Sequence, residues 1–304
     1  MRAVRNTATG IEVVDVDPPS SGVRVRVTSA GICGSDFHMI AAGPLPHTLG
    51  HEFGGVLDDG TVIAVRPNPA CGTCAACAAD QPQRCREGFV NFHGVSADGG
   101  LAEFVGVEER CIVPLPRSVD PMDAGLVEPL AVAVHGVRGL PRHARVLVLG
   151  AGPIGLCAIA AALDAGHAVD VRARGAAREE AARRLGAGPA RDEGGYAVVV
   201  DAAGTESSAS AAVDLVAPGG TVAMLGTWWD PTPLDTRWQL KEVTLVPRIT
   251  YGHEDFLGAA ALLASVPALR EVMVTHRFSL EDAATAFRTA ADRSTGAIKV
   301  LLHP

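Results

Sequence analysis

Arg145-Val146-Leu147-Val148-Leu149-Gly150-Ala151-Gly152-Pro153-Ile154-Gly155 decides the fold. A β-rich run enters three glycines spaced Gly-x-Gly-x-x-Gly, an apolar helix follows to near Gly166, and Val169 and Val171 start another strand. Strand, sharp turn, helix and strand in that order make a βαβ unit of parallel-sheet type. Val146 to Leu163 carries no charge over 18 residues, which reaches the length of a membrane helix. Gly150, Gly152, Pro153 and Gly155 interrupt it, so a strand, a turn and a buried helix explain it better. Glycines in that turn let a pyrophosphate approach the backbone, with its charge at the free N–H groups of a helix N-terminus. Gly150, Gly152, Pro153, Ile154 and Gly155 are therefore candidate dinucleotide-binding residues.

The end of the next strand tests which dinucleotide. An Asp or Glu there binds the ribose hydroxyls of NAD. This chain has Ala173, in Val171-Arg172-Ala173-Arg174-Gly175. Without a carboxylate a 2'-phosphate meets no repulsion, and Arg172 and Arg174 can pair with it, so NADP is expected over NAD. The plainer reading leaves both arginines solvated at a strand end.

Downstream, strand and helix candidates continue at Ala197 to Val200, Ser207 to Val216 and Thr221 to Leu225, with Pro218-Gly219-Gly220 closing the helix. Upstream the texture differs. Val23-Arg24-Val25-Arg26-Val27 alternates with period two, and turns are rich in Gly, Pro and Asp, which reads as an all-β region with inserted loops to about residue 117. After Tyr251 come a helical stretch from Phe256 to Leu263, a strand near Phe278, a helix over Glu281 to Ala290 and a last strand at Ile298 to Leu302. The fold class is α/β: a β-rich domain over 1–117, completed by 252–304, and a doubly wound parallel-sheet domain over 118–251.

Four of the seven cysteines fall between Cys71 and Cys85, as Cys71, Cys74, Cys77 and Cys85. Four thiolates so spaced can close a tetrahedral zinc shell, which leaves no open position and so serves structure. An iron–sulfur cluster is the competing metal, but the usual proline after the last cysteine is missing. Four unrelated buried cysteines in one short polar loop is the less economical account.

A second set is scattered. Cys33 lies in Gly31-Ile32-Cys33-Gly34-Ser35-Asp36-Phe37-His38, His51 and Glu52 in Gly50-His51-Glu52-Phe53-Gly54-Gly55, and Glu128 in Glu128-Pro129-Leu130-Ala131. A catalytic zinc takes about three protein ligands, drawn from separate segments, and keeps one exchangeable position. Each residue alone is more often ordinary packing; together they resemble the catalytic-zinc signature of the medium-chain dehydrogenase/reductase superfamily, in its sorbitol, threonine and butanediol dehydrogenase branch. Asp98-Gly99-Gly100-Leu101-Ala102-Glu103-Phe104, Pro218-Gly219-Gly220 and Gly226 resemble later family turns, so the likeness covers nearly the whole chain.

That resemblance implies a GroES-like catalytic domain beside a Rossmann domain, with the active site in the cleft. It implies zinc on Cys33, His51 and Glu128, with Glu52 exchanging against water. Ser35 would relay the alcohol proton, Asp36 would orient His51, and His38 would pass the proton towards solvent. The implied reaction is hydride transfer between a nicotinamide ring and a secondary alcohol or its ketone, with a polyol, amino-polyol or cyclitol ahead of a simple secondary alcohol. Trp228 and Trp229 precede a segment that approaches the subunit interface in the family, which implies a homodimer or homotetramer.

Composition excludes other classes. Lys and Arg total 26 against 34 Asp and Glu, a net charge of −8, with no long run of one sign, so neither nucleic acid nor an anionic membrane is an expected partner. Arg2, Arg5, Glu12, Asp15 and Asp17 break up the first residues, which gives no secretory signal and a cytoplasmic expectation. A zinc-free reductase of the same fold would lack Cys33, His51 and Glu128. A zinc-ribbon binding module would explain the cysteine loop but not the dinucleotide turn.

Overall fold

In the computed structural model, which describes all 304 residues, the alternation at Val23 to Val27 opens a nine-residue strand that buries Val25 and Val27 and leaves Arg24 and Arg26 in solvent. Period-two burial on one face is what a half-covered sheet requires. The chain begins with a hairpin of β1 (Arg2–Thr7) and β2 (Gly10–Asp15), then β3 (Val23–Gly31), α1 (Gly34–Ala41), β4 (Glu52–Val56) and β5 (Val62–Val65). A short α2 (Ala75–Ala78) lies in the cysteine loop, followed by β6 (Phe104–Val107) and β7 (Ile112–Pro114). Next come α3 (Val127–Val137), β8 (Arg145–Leu149), α4 (Pro153–Asp164), β9 (Ala168–Arg172), α5 (Ala176–Arg184), β10 (Gly188–Pro189), β11 (Tyr196–Asp201), α6 (Glu206–Leu215), β12 (Val216–Met224), α7 (Thr236–Leu240) and β13 (Thr244–Pro247). The last elements are α8 (His253–Ser265), α9 (Pro267–Met273), β14 (Val274–Ser279), α10 (Ala283–Ala291) and β15 (Lys299–His303).

Two compact units result. In the first, one mixed sheet runs β14-β15-β3-β4-β5-β7 with β6 also on β3, so the last strands of the chain join the sheet built by β3 to β7, while β1 and β2 pair apart. Its core gathers Val25, Val27, Leu49, Phe53, Ile63, Leu101, Phe287 and Leu302. In the second, a six-stranded parallel sheet runs β10-β9-β8-β11-β12-β13 around Leu147, Val199, Val213, Val222 and Trp238. The first fits the β-rich domain and the second the doubly wound parallel sheet expected from the sequence. The uncharged stretch from Val146 to Leu163 is divided between β8 and α4, and no single helix is long and apolar enough to cross a membrane.

The units divide elsewhere than at 117/118 and 251/252. The first keeps Met1–Glu128 and regains the chain at Tyr251, while Val266–Met273 belongs to the second. The physical reasons are local. The 3-10 segment Pro121–Leu126 packs on β3, β4 and β5, with the Gly125 N–H donating to Ser29 Oγ at 3.3 Å. Helix α9 packs on α4 and α5, placing Met273 Sδ 3.5 Å from Cys157 Sγ.

Two expectations are refined by the structure. Pro218-Gly219-Gly220 is not part of the helix end itself: α6 ends at Leu215, Pro218 follows two residues beyond its Val216 cap, and the triplet lies inside β12. There the strand slips against β11 between Tyr196 and Val198, and Lys241 Nζ caps the helix by donating to the carbonyls of Val213, Asp214 and Val216 at 2.8 to 2.9 Å. Nor is the N-terminal region wholly β, since α1 occupies the stretch after Cys33.

Candidate functional site

Cys33 sits at the joint of β3 and α1 in an extended conformation, and its N–H donates to Asp36 Oδ2 at 2.9 Å. This reciprocal closure of the first turn starts a helix at Gly34 and fixes where the thiol emerges. Asp36 is fully buried, and its other oxygen lies 3.3 Å from His51 Nδ1, without hydrogen-bond alignment. His51 enters β4 behind Gly50, whose φ of +93° and closeness to Leu101 admit no side chain. With Nδ1 turned to Asp36, Nε2 is the nitrogen left for a ligand, and it lies 3.4 Å from Ser35 Oγ.

Cys33, His51 and Glu52 each offer a ligand atom, all within 4.8 Å of one another. Thiolate, imidazole and carboxylate suit zinc. Burial disfavours a charged His51, yet Cys33 and Asp36 beside it win and hold it well above the usual histidine range. The site's own groups thus call for positive charge at this spot, which a divalent metal satisfies.

Two buried donors engage the neighbouring carboxylates, and neither is apparent from motifs. Lys299 Nζ, on β15, donates to both oxygens of Glu52 at 2.8 and 2.6 Å and to the Ile32 carbonyl at 2.9 Å, and both side chains are 1% exposed. A Cβ at Gly31 would stand 2.1 Å from Glu52 Oε2, so that glycine makes room for the carboxylate. Glu128 lies outside the Cys33–His51–Glu52 cluster; its Oε1 accepts from Tyr251 Oη at 2.8 Å. Burial pushes the Glu128 carboxyl up to about 7, against the lowering influence of His51. In the sequence Lys299 is one lysine inside the apolar strand Ile298-Lys299-Val300-Leu301-Leu302, a pattern that names no partner.

His38 is exposed on α1, one turn beyond Ser35. Phe92 sets its ring edge-on to His51 with centroids 6.4 Å apart, and Phe89, 54% exposed, stacks on Phe92 at 5.6 Å.

The structure also gathers Cys71, Cys74, Cys77 and Cys85, with all four sulfurs within 4.8 Å of one another. Backbone N–H groups of Cys74 and Glu87 donate to Cys71 and Cys85 sulfurs at 3.3 and 3.4 Å. Hydrogen bonds from Thr73 draw the Cys71 thiol down to about 6, whereas burial and its neighbours push Cys77 up to about 11. Four sulfurs competing for few protons fit a zinc that takes them as thiolates.

In the second unit Gly150 has φ of +95°, and a Cβ at Gly155 would meet the Gly150 carbonyl oxygen at 2.0 Å. A Cβ at Gly152 would meet nothing nearer than Arg178 Nη1 at 3.8 Å, so the space before the α4 N-terminus is free for a phosphate. Pro153 and Ile154 form the first turn of α4. At the end of β9, Arg172 is half-exposed with a guanidinium nitrogen 3.7 Å from Asp192, Ala173 follows, and Arg174 is exposed. Of the tryptophans, Trp228 donates to Asp201 at 2.9 Å, and Trp229 is 52% exposed.

Residues 19–117 match the alcohol dehydrogenase GroES-like domain family, and residues 153–265 match the zinc-binding dehydrogenase family. The chain is 31% identical to L-galactonate-5-dehydrogenase of Escherichia coli K12 over 86% of its length and 85% of that enzyme's. It is 28% identical to galactitol 1-phosphate 5-dehydrogenase of the same organism over the whole of both chains. A Sinorhizobium meliloti 1021 protein described as a zinc-binding dehydrogenase and solved with NADP superposes with a TM-score of 0.89 at 29% identity, covering 100% of this chain and 99% of that one.

Proposed function

Given that the chain belongs to the zinc-binding alcohol dehydrogenases, in their sorbitol- and threonine-dehydrogenase-like branch, we propose that it moves a hydride between a secondary alcohol and NADP, at a site built on Cys33, His51 and a carboxylate. The observation that carries this reading is the convergence of Cys33, His51 and Glu52 ligand atoms within 4.8 Å, with the Ser35 hydroxyl against His51. Zinc held there supplies a Lewis acid for the substrate oxygen. Cys71, Cys74, Cys77 and Cys85 hold a second, structural zinc.

The protein's own part is orientation and proton movement. Asp36 keeps the His51 ring turned so that Nε2 is the free nitrogen, and its contact with the Cys33 N–H ties the two ligands to one carboxylate. Ser35 takes the alcohol proton in oxidation and returns it in reduction, and exposed His38 exchanges it with solvent. Gly150, Gly152, Pro153, Ile154 and Gly155 bind the pyrophosphate. Arg172 and Arg174 take the 2'-phosphate that Ala173 leaves unopposed.

The two Escherichia coli relatives act on L-galactonate and galactitol 1-phosphate, which favours a polyol or related polyhydroxylated substrate. The Phe89–Phe92 stack beside His51 favours a second reading, a simple secondary alcohol with an apolar portion. A homodimer or homotetramer fits exposed Leu240 and Ile249, which flank β13, an edge strand of the parallel sheet, and exposed Trp229. A cytoplasmic location fits the sequence.

The test is reduced-nicotinamide formation and consumption across polyols, cyclitols, simple secondary alcohols and their ketones, with metal content measured alongside. Wild type is expected to hold two zinc ions per chain and to turn over with NADP, and Cys33→Ala to hold one and turn over nothing. Full activity in Cys33→Ala would end the zinc reading. For the cofactor, Ala173→Asp sets a carboxylate against the 2'-phosphate. Like charges so placed cost several kcal/mol, so the NADP-over-NAD ratio in kcat/KM should fall about a hundredfold; an unchanged ratio removes this loop from cofactor choice.

A further inference from the structure

Two buried carboxylates influence His51, Glu52 from within the Cys33–His51 cluster and Glu128 from outside it, and they are held by different kinds of donor. Glu52 has both oxygens on the Lys299 ammonium, a charge-assisted and nearly solvent-free pair. Glu128 has Oε1 on the neutral Tyr251 hydroxyl at 2.8 Å. Tyr251 is itself pinned, being 2% exposed with its ring 5.3 Å from that of Phe256. Glu128 and Tyr251 are also the residues at which the chain leaves the first unit and re-enters it, so their side chains bridge the two ends of that crossing.

We propose that Tyr251 is a positioning residue for the metal centre: its hydroxyl fixes the Glu128 carboxylate so that one oxygen is committed to the protein and the other is presented to the cation. This rests on the zinc reading of the Cys33–His51 site and assigns a role to a side chain outside the ligand motifs. A carboxylate can rotate and bind through one oxygen or two, and a rigid donor on one oxygen selects the single-oxygen mode. With zinc bound, holding Glu128 to one oxygen would leave room at the metal for substrate. Hydrogen-bond partners of metal-binding carboxylates typically change metal affinity about 10- to 100-fold when removed.

The experiment exchanges cobalt for zinc at this site in the whole protein and reads cobalt affinity and visible absorption in wild type, Tyr251→Phe, Glu128→Gln and the double variant. The band that disappears in Cys33→Ser identifies the site; a wild type without that band would overturn the zinc reading itself, a separate failure. The Phe ring preserves packing on Phe256, and unfolding of the metal-free proteins checks that the fold is kept. Tyr251→Phe is expected to lower cobalt affinity about tenfold and to alter the band shape, with no further change when added to Glu128→Gln. Wild-type affinity and spectrum in Tyr251→Phe would overturn the proposal, as would an equal loss from Tyr251→Phe in the Glu128→Gln background.

Discussion

Lys299 shows how one residue can join the end of a chain to its chemistry. It reaches from β15 to Glu52 and to the carbonyl of Ile32, the residue before Cys33, so both the carboxylate and the backbone that presents the thiol are set by one ammonium. Replacing it by Met leaves Glu52 buried and unpaired. Breaking one side of such a pair costs about 3–5 kcal/mol, whereas removing both charges is far milder. Denaturant unfolding should therefore show that loss in Lys299→Met and recovery of most of it in Lys299→Met with Glu52→Gln. Equal stability of Lys299→Met and wild type would mean that the pair does not stabilise the fold. At this scale Cys33, His51 and the four-cysteine loop were legible because ligand types cluster at short spacing. Lys299 and Tyr251 were not. A single lysine in a strand or one of two tyrosines acquires meaning only from a partner more than a hundred residues away.

Elements follow from their closing chemistry as much as from their periodicity. The β8–α4 turn was readable because a Cβ at Gly155 would strike the Gly150 carbonyl, a constraint that glycine spacing announces. At the end of α6 the Pro218-Gly219-Gly220 stop signal is joined by a partner that composition does not announce, the ammonium of Lys241 on three carbonyls. A cation at a helix C-terminus satisfies orphan acceptors and opposes the negative end of the dipole. Lys241→Met should destabilise the protein by about 1–2 kcal/mol and speed amide hydrogen exchange in the last turn of α6 while leaving that of α4 unchanged. If exchange is uniform across both helices, the cap does not hold the last turn of α6. Helix α1 escaped notice for a related reason, since its start depends on the Asp36 carboxylate folding back on Cys33 rather than on an apolar stripe.

For the molecule as a whole, sequence texture separated a β-rich part from a parallel-sheet part, but the crossings at Glu128 and Tyr251 depend on which sheet each connecting segment packs against. The same distribution of buried groups sets the acid response, and its sign depends on the metal. His47, His93 and His303 are held below 6.5, chiefly by burial, so each contributes stability in full above 6.5 that is lost as pH falls through the folded value. Glu103, Asp235 and Asp292, lowered by hydrogen bonds from ordinary values of 4.5, 3.8 and 3.8, act in the same direction at more acid pH. Glu128 and His51 run the other way in zinc-stripped protein. Their folded values are raised, so the stability they add is present at low pH and is lost as pH rises, for Glu128 between 4.5 and about 7 and for His51 above 6.5. Zinc bound as proposed on His51 and a neighbouring carboxylate would remove those sites from titration and release their protons. Unfolding midpoints measured from about pH 7.5 down to about pH 4 should therefore fall steadily for the zinc-loaded protein and more shallowly for the stripped one. The gap between the curves should narrow on acidification, as protons displace the metal. Parallel curves would mean that His51 and Glu128 do not change protonation with the metal, and the electrostatic account of the site would have to be abandoned while the fold stood.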